Sequence, residues 1–356
     1  MKTFKTLRLP LFFLLLLGLD CLGERAHAQT PVGTVSNIPA PDANAYSTSL
    51  RYDSSGDLYA WDGLSVWEQS GGTGSFSNIG SVAAGNSADA GPISLSQSGQ
   101  NLLLSNGAGG SLGGPYNGVF WSMSAAGGMA TRVTGSGAPF AGDALALPAA
   151  STIPQSNTKY IVYQGNSSFN GSSLSIFDAV SGVNVPIVNN GPGATAAIAI
   201  NPRNDSLYVD TGYGSDAGEI FSFSLNQIDT AFNTATPINF TSGALFNPLG
   251  TGSQSGAGLF FDSNGYLFAG GDGITVFRPD GSISYDQPAS AADNYYDSLA
   301  YDPANNEVLK VPYVFAGPST GTLYNATDFE TVPEPSTLML LGAGVVIGLV
   351  ARRLRT

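Results

Sequence analysis

The sequence predicts an all-β fold, a β-propeller of about six blades, with a signal helix before it and a short transmembrane helix after it. Three observations predict this. A strand–turn–strand unit recurs along the body, and its copies are spaced as propeller blades are. The body also holds no amphipathic helix of useful length, which argues against α/β and helical classes. The resulting division is 1–28 as an N-terminal signal, 29–331 as propeller-like body and 332–356 as a separate C-terminal segment.

The clearest copy of the unit runs from Ser49 to Ala60, with Tyr52-Asp53-Ser54-Ser55-Gly56-Asp57-Leu58-Tyr59 at its centre. Gly258 to Ala269 repeats its character position by position, Ala197 to Val209 is one residue longer, and Ser298 to Leu309 and Ile93 to Leu104 complete the set. In each, alternating apolar residues lead in as a half-buried strand requires. Asp-x-x-Gly or Asn-Pro-x-Asn then turns the chain. Asp and Asn bond back to their own backbone there, and Gly supplies positive φ. The anchors are Asp53, Ser96, Asn201, Asp262 and Asp302, with gaps of 43, 105, 61 and 40 residues. The gap of 105 has room for one more unit, and Lys159 to Tyr163 is a candidate strand within it. Third strands follow several copies, at Leu64 to Trp67, Leu174 to Asp178, Glu219 to Phe223 and Ile274 to Phe277. Thr30 to Ala45 reads as an extended lead-in, and Ala316 to Thr331 as a last strand plus linker. The pattern resembles the blades of NHL-type and SMP-30-type propellers over most of the body. A β-sandwich or a β-helix would use similar turns.

The N-terminus has the three parts of a secretory signal. Lys2, Lys5 and Arg8 form a basic region, Leu9 to Leu19 is apolar, and Ala26-His27-Ala28 places small residues where a signal peptidase needs them. Cleavage is expected between Ala28 and Gln29, with Ala26 and Ala28 filling the peptidase pocket. The apolar run is short of the roughly 20 residues that span a bilayer.

The C-terminus also has three parts in order. Val332-Pro333-Glu334-Pro335-Ser336 comes first, an apolar run from Thr337 to Ala351 follows, and Arg352, Arg353 and Arg355 close the chain. At about 1.5 Å per residue the run reaches roughly 22 Å, which snorkelling arginines and local thinning extend toward the hydrocarbon thickness. The arginines are a stop-transfer signal and should stay cytoplasmic. Pro333 and Pro335 fix φ and remove donors, which keeps the segment extended. This arrangement resembles the PEP-CTERM sorting signal. The resemblance implies that an exosortase-type membrane enzyme recognises Pro333, Glu334, Pro335 and the arginine tail, then cleaves and transfers the body. It also implies a bacterial surface setting, often one with exopolysaccharide.

Composition removes several chemistries. The body carries six cations (Arg51, Arg132, Lys159, Arg203, Arg278 and Lys310) against 23 carboxylates, a net charge of −17. Nucleic acid is therefore not an expected partner. Anionic polysaccharide or lipid would need bridging divalent cations. The single Cys and single His, Cys21 and His27, both lie in the signal peptide. A mature body without them has no disulfide, no Ser-His-Asp or Cys-His catalysis and no Cys/His zinc site. Abundant apolar and aromatic residues in alternating patterns argue against disorder.

The remaining candidates each have a plain structural reading. Asp53, Asp57 and Asp62, or Asp262 and Asp272, invite a Ca²⁺ site, but their spacing does not match an EF-hand loop and turn capping explains them. Trp61, Trp67, Trp121, Tyr295 and Tyr296 could stack on sugars; core packing is the ordinary fate of such residues, with one of Tyr295 and Tyr296 left facing out. Sequons at Asn166, Asn170, Asn204, Asn239 and Asn325 are what an Asn- and Ser-rich chain contains by chance. The expected function is an exported, non-catalytic structural or binding propeller without a cofactor. The alternative is a secreted metal-dependent hydrolase, similar to SMP-30-type lactonases, whose metal would need Glu, Asp and Asn at the propeller centre. The body's Glu68, Glu219, Glu307 and Glu330 form no such pattern.

Overall fold

Runs of Val, Ile, Leu, Phe and Tyr, broken by Asp, Asn and Gly turns, fold this chain into short antiparallel strands. The computed structural model describes residues 29–42, 48–83, 90–106, 119–133, 140–165, 171–193, 197–211, 219–247, 258–271, 273–288, 298–311 and 319–330. Within them the strands form six sheets, the six blades of a β-propeller. The first strand of the chain, β1 (Pro31–Ile38), is used last. Blade 1 is β2 (Ser49–Tyr52), β3 (Leu58–Trp61), β4 (Ser65–Gln69) and β5 (Ser77–Ser81). Blade 2 is β6 (Ala90–Leu95), β7 (Asn101–Asn106), β8 (Phe120–Ser124) and, after the two-residue β9 (Gly128–Met129), β10 (Thr131–Val133). Blade 3 is β11 (Phe140–Ala146), β12 (Lys159–Gly165), β13 (Ser172–Asp178) and β14 (Asn184–Gly191). Blade 4 is β15 (Ile198–Ile200), β16 (Leu207–Asp210), β17 (Ile220–Phe223) and β19 (Ala244–Asn247), with helix α1 (Leu225–Thr234) and the short β18 (Ile238–Asn239) inserted before its last strand. Blade 5 is β20 (Gly258–Phe261), β21 (Leu267–Gly271), β22 (Gly273–Phe277) and β23 (Ile283–Pro288). Blade 6 is β24 (Ser298–Asp302), β25 (Glu307–Val311) and β26 (Ser319–Asn325), and the turn α2 (Thr327–Glu330) ends the described chain.

The ring closes through the N-terminus. β1 pairs antiparallel with β26, Val35 opposite Gly321, so blade 6 takes its outer strand from the start of the chain. The expected lead-in is thus a structural strand, and the two ends of the body hold each other. The first strands, β2, β6, β11, β15, β20 and β24, touch one another in that order, and β24 touches β2. They line the propeller axis.

Each blade buries both faces, because its neighbours cover them. In β12, Tyr160 and Val162 pack toward blade 2 with Leu103 and Phe120, while Ile161 and Tyr163 pack toward blade 4 with Ile198 and Val209. That is the period of two of a strand, expressed as two separate cores. Six such clusters sit between successive blades, and the last joins Val35, Ile38 and Leu309 to Tyr52 and Leu58. Neighbouring blades also exchange edge strands. β9 pairs in parallel with β5, and β18 with β14. The first exchange needs Gly80, where a Cβ would overlap the Gly128 carbonyl oxygen and crowd Met123.

One expectation is corrected. The body does contain an amphipathic helix, the ten-residue α1. Ser224 caps it: its Oγ accepts from Gln227 N and the Gln227 side chain returns to Ser224 N, a capping box. Ile228 and Ala231 pack into the core between blades 3 and 4. The signal helix and the apolar C-terminal run lie outside the described residues. Among the described residues no helix is long and apolar enough to cross a membrane.

Candidate functional site

The turns joining the first and second strands of each blade share one rim of the ring. Their anchors act as turn chemistry requires. Asp53 Oδ1 accepts from Ser55 N and Asp57 N at 2.8 and 2.9 Å. Asp302 Oδ1 accepts from Ala304 N, and Asn201 Oδ1 from Arg203 N, both at 2.9 Å. Ser96 Oγ accepts from Asn101 N at 3.1 Å. Asp62 is equally occupied, by Leu64 N, Ser65 N and Trp67 Nε1. These carboxylates cap turns. Blade 3 is the exception to the pattern: its first turn, between Ala146 and Lys159, is held by a carboxylate from another blade. Asp229 of α1 holds it from outside, through Ser151 Oγ, Thr152 N and Thr152 Oγ1 at 2.7 to 2.8 Å.

Two of the candidate aromatics are core. Trp61 and Trp121 are fully buried with ring centroids 6.2 Å apart, and Trp61 Nε1 donates to Ser105 O. Trp67 is half-buried on Asp62. Tyr295, Tyr296, Asp272, Asn166 and Asn170 lie outside the described residues.

At the axis the structure places a pair that sequence reasoning missed. Arg51 projects from β2 and donates through Nε to Ile93 O of β6 and through Nη2 to Ala144 O and Asp143 Oδ1 of β11, the last at 3.4 Å. Asp143 Oδ1 also accepts from Ala144 N at 2.7 Å, and Oδ2 accepts from Ile198 N of β15 at 2.9 Å. One ion pair thus stitches the inner strands of four blades. Burial pushes the Asp143 carboxyl above the ordinary carboxylate range and outweighs the opposing pull of Arg51 and the two backbone donors.

On the rim, blades 6 and 1 bring Asp302 and Glu307 near Tyr52, and Asp53 and Asp57 near Glu68. Burial, then these like charges, raises Glu68 and Glu307 above the usual carboxylate range. The described body starts and ends on this same rim. Pro31 lies opposite Tyr324, and Ala326 N donates to Asn306 O of the blade 6 turn. Of the residues assigned to processing, Gln29 is described and half-buried. Ala26, Ala28, Pro333, Glu334, Pro335, Arg352, Arg353 and Arg355 lie outside the described residues.

Comparison with known proteins settles what the last segment is. Residues 331–355 match the PEP-CTERM protein-sorting motif. A PEP-CTERM motif implies export and processing by an exosortase-type enzyme. No curated protein matches the sequence. The fold is similar to a gluconolactonase from Xanthomonas campestris, 14% identical over 83% of this chain and 99% of that one, with a TM-score of 0.53. It is similar to the calcium-binding protein regucalcin from Agrobacterium tumefaciens, 11% identical over 83% and 95%, TM-score 0.53. A chain of a nidogen/laminin complex is 8% identical over 70% and 82%, TM-score 0.51. A lactonase, a calcium-binding protein and a member of a nidogen/laminin complex sharing one architecture show the fold alone.

The metal-dependent alternative would need a cation at the axis. The described inner strands do not fit one. Asp143 has spent both oxygens on Arg51 and backbone N–H groups, and Arg51 adds a fixed positive charge beside it. Among the described residues no group of three His, Cys, Asp or Glu side chains could hold a metal.

Proposed function

We propose that this chain is an exported cell-surface or extracellular-matrix protein. In this reading its propeller is a structural or binding module rather than an enzyme, and an exosortase-type enzyme processes its C-terminus. The observation that carries the proposal is the PEP-CTERM motif over residues 331–355. Signal peptidase would cut between Ala28 and Gln29, residues 29–331 would be the delivered body, and the apolar run would hold the precursor in the membrane until processing. Pro333, Glu334, Pro335 and the three terminal arginines would be the recognition set. Exopolysaccharide or another surface component is the fitting partner. An anionic partner would meet a body of net charge −17 and need divalent cations between them.

The axis supports the non-catalytic reading. Arg51 and Asp143 spend their hydrogen bonds on joining blades, which leaves them poorly placed to act on a substrate. The test is turnover. Purified exported protein, with and without Ca²⁺ or a chelator, should leave lactones and glycosides intact and keep the same melting temperature. Metal-dependent hydrolysis would replace the proposal with the lactonase-like alternative.

A further inference from the structure

The last described turn is held against blade 5 beside a pair of buried carboxyl groups, Asp262 and Glu330. Phe329 of α2 fits among Phe268, Tyr285 and Tyr324, at ring distances of 5.6, 5.1 and 5.9 Å. Ser284 Oγ lies 2.9 Å from both Phe329 O and Glu330 O and donates between them. Asn264 Nδ2 donates to both carboxylate oxygens of Glu330 at 2.9 Å. Beneath it lies Asp262, the blade 5 turn anchor. Asp262 is fully buried; its Oδ1 accepts from Tyr266 N at 2.8 Å, and its Oδ2 is enclosed with no donor.

A buried acceptor without a donor is costly. The group facing Asp262 is the Glu330 carboxyl, itself nearly buried. With both ionised, the two carboxylates present acceptors to each other and neither can donate. One proton removes the conflict: it turns one carboxyl into a donor and satisfies Oδ2.

We propose that a proton held on Asp262 and donated to Glu330 is a pH-sensitive latch that closes α2 onto blade 5 in acid and releases it as the pH rises. The surroundings agree. Burial, then the hydrogen bond and like charge of Glu330, raise the Asp262 carboxyl to about 7. Tyr301 faces the pair from β24 with Asp302 beside it, and burial pushes that phenol up, so it stays neutral. Asp328 belongs to α2 itself, Tyr285 and Tyr324 pack on Phe329, and Arg203 of the blade 4 turn rests its guanidinium on Gly265. Glu330 directly precedes the residues that match the sorting motif. Releasing α2 back to Ala326 adds four residues of tether, about 13 Å when extended. The latch therefore sets the number of free residues between the body and the motif. That bearing on sorting rests on the export reading; the latch itself does not.

Between about pH 4 and 7 the closed state binds one more proton than the open state, so closure weakens as pH rises, up to about tenfold per pH unit. Hydrogen exchange on the full chain in detergent reads this directly. Protection of the Ala326–Glu330 amides, corrected for intrinsic rates, should fall at least tenfold between pH 5 and 8, while β12 stays constant. Asp262→Asn and Glu330→Gln each keep a donor between the two groups at every pH and should flatten the profile. Glu330→Gln decides if Asp262→Asn folds poorly. A flat wild-type profile, or a slope that survives in Glu330→Gln, overturns the latch. So does protection at pH 8 that appears with Ca²⁺ and vanishes with chelator, which would put a cation where the proton is proposed. Failed processing with a normal profile would instead count against the export reading.

Discussion

Replacing Arg51 by Met tests whether the propeller is stitched at its axis. At 3.4 Å and an effective dielectric near 20, the pair's gross Coulomb attraction is about 5 kcal/mol. Desolvation of both groups cancels much of that, so the pair's net value against apolar replacements is small. Removing one partner is different, because it leaves the nearly buried Asp143 carboxyl with only two backbone donors. A cost of about 3 kcal/mol follows. For a body of about 300 residues that is a fall of roughly 5 °C in melting temperature. The pH dependence has a definite sign. Asp143 already has a folded pKa above its unfolded one, so its contribution falls as pH rises through that window. Without Arg51 the folded pKa rises further, and the variant's deficit should be smaller at pH 5 than at pH 8. Arg51→Met/Asp143→Asn should recover at least 1 kcal/mol of the single-variant loss. Chemical and thermal melts of the four proteins measure this. A loss under 0.5 kcal/mol for Arg51→Met, or additivity of the two changes, would show that the pair does not couple the blades.

Two further outcomes follow from the packing. Gly80→Ala forces a methyl group onto the Gly128 carbonyl and should cost about 2 to 3 kcal/mol, with faster amide exchange at Met129 as β9 separates from β5. Ser224→Ala removes the cap of α1 and should cost about 1 kcal/mol, near 1.5 °C, while Ser224→Asp should restore it.

The blades were legible where local chemistry repeats. Asp53, Asn201, Asp262 and Asp302 mark turns because the bonds they make reach only two to four residues along the chain. Blade 3 was half hidden, because Asp229, far along the chain, replaces a local anchor in its first turn. Helix α1 carried a readable signal in Ser224 and Gln227. A buried Asp229 and short length disguised its apolar face. The closing strand β1 could be read only as extended, since its partner β26 lies at the other end of the body. The axis pair and the Asp262–Glu330 pair join residues 92 and 68 positions apart, and no spacing rule links such residues. The sorting segment was the reverse case: motif, apolar run and basic tail are contiguous, so sequence alone carried it.

Intact mass and terminal peptides of the protein recovered from outside the cells of its native host test the central claim most directly. The expected result is an N-terminus at Gln29 and a C-terminus lost near Pro333 to Pro335. An exported protein that still ends in Arg355-Thr356 would contradict it, and would make the C-terminal segment a membrane anchor only.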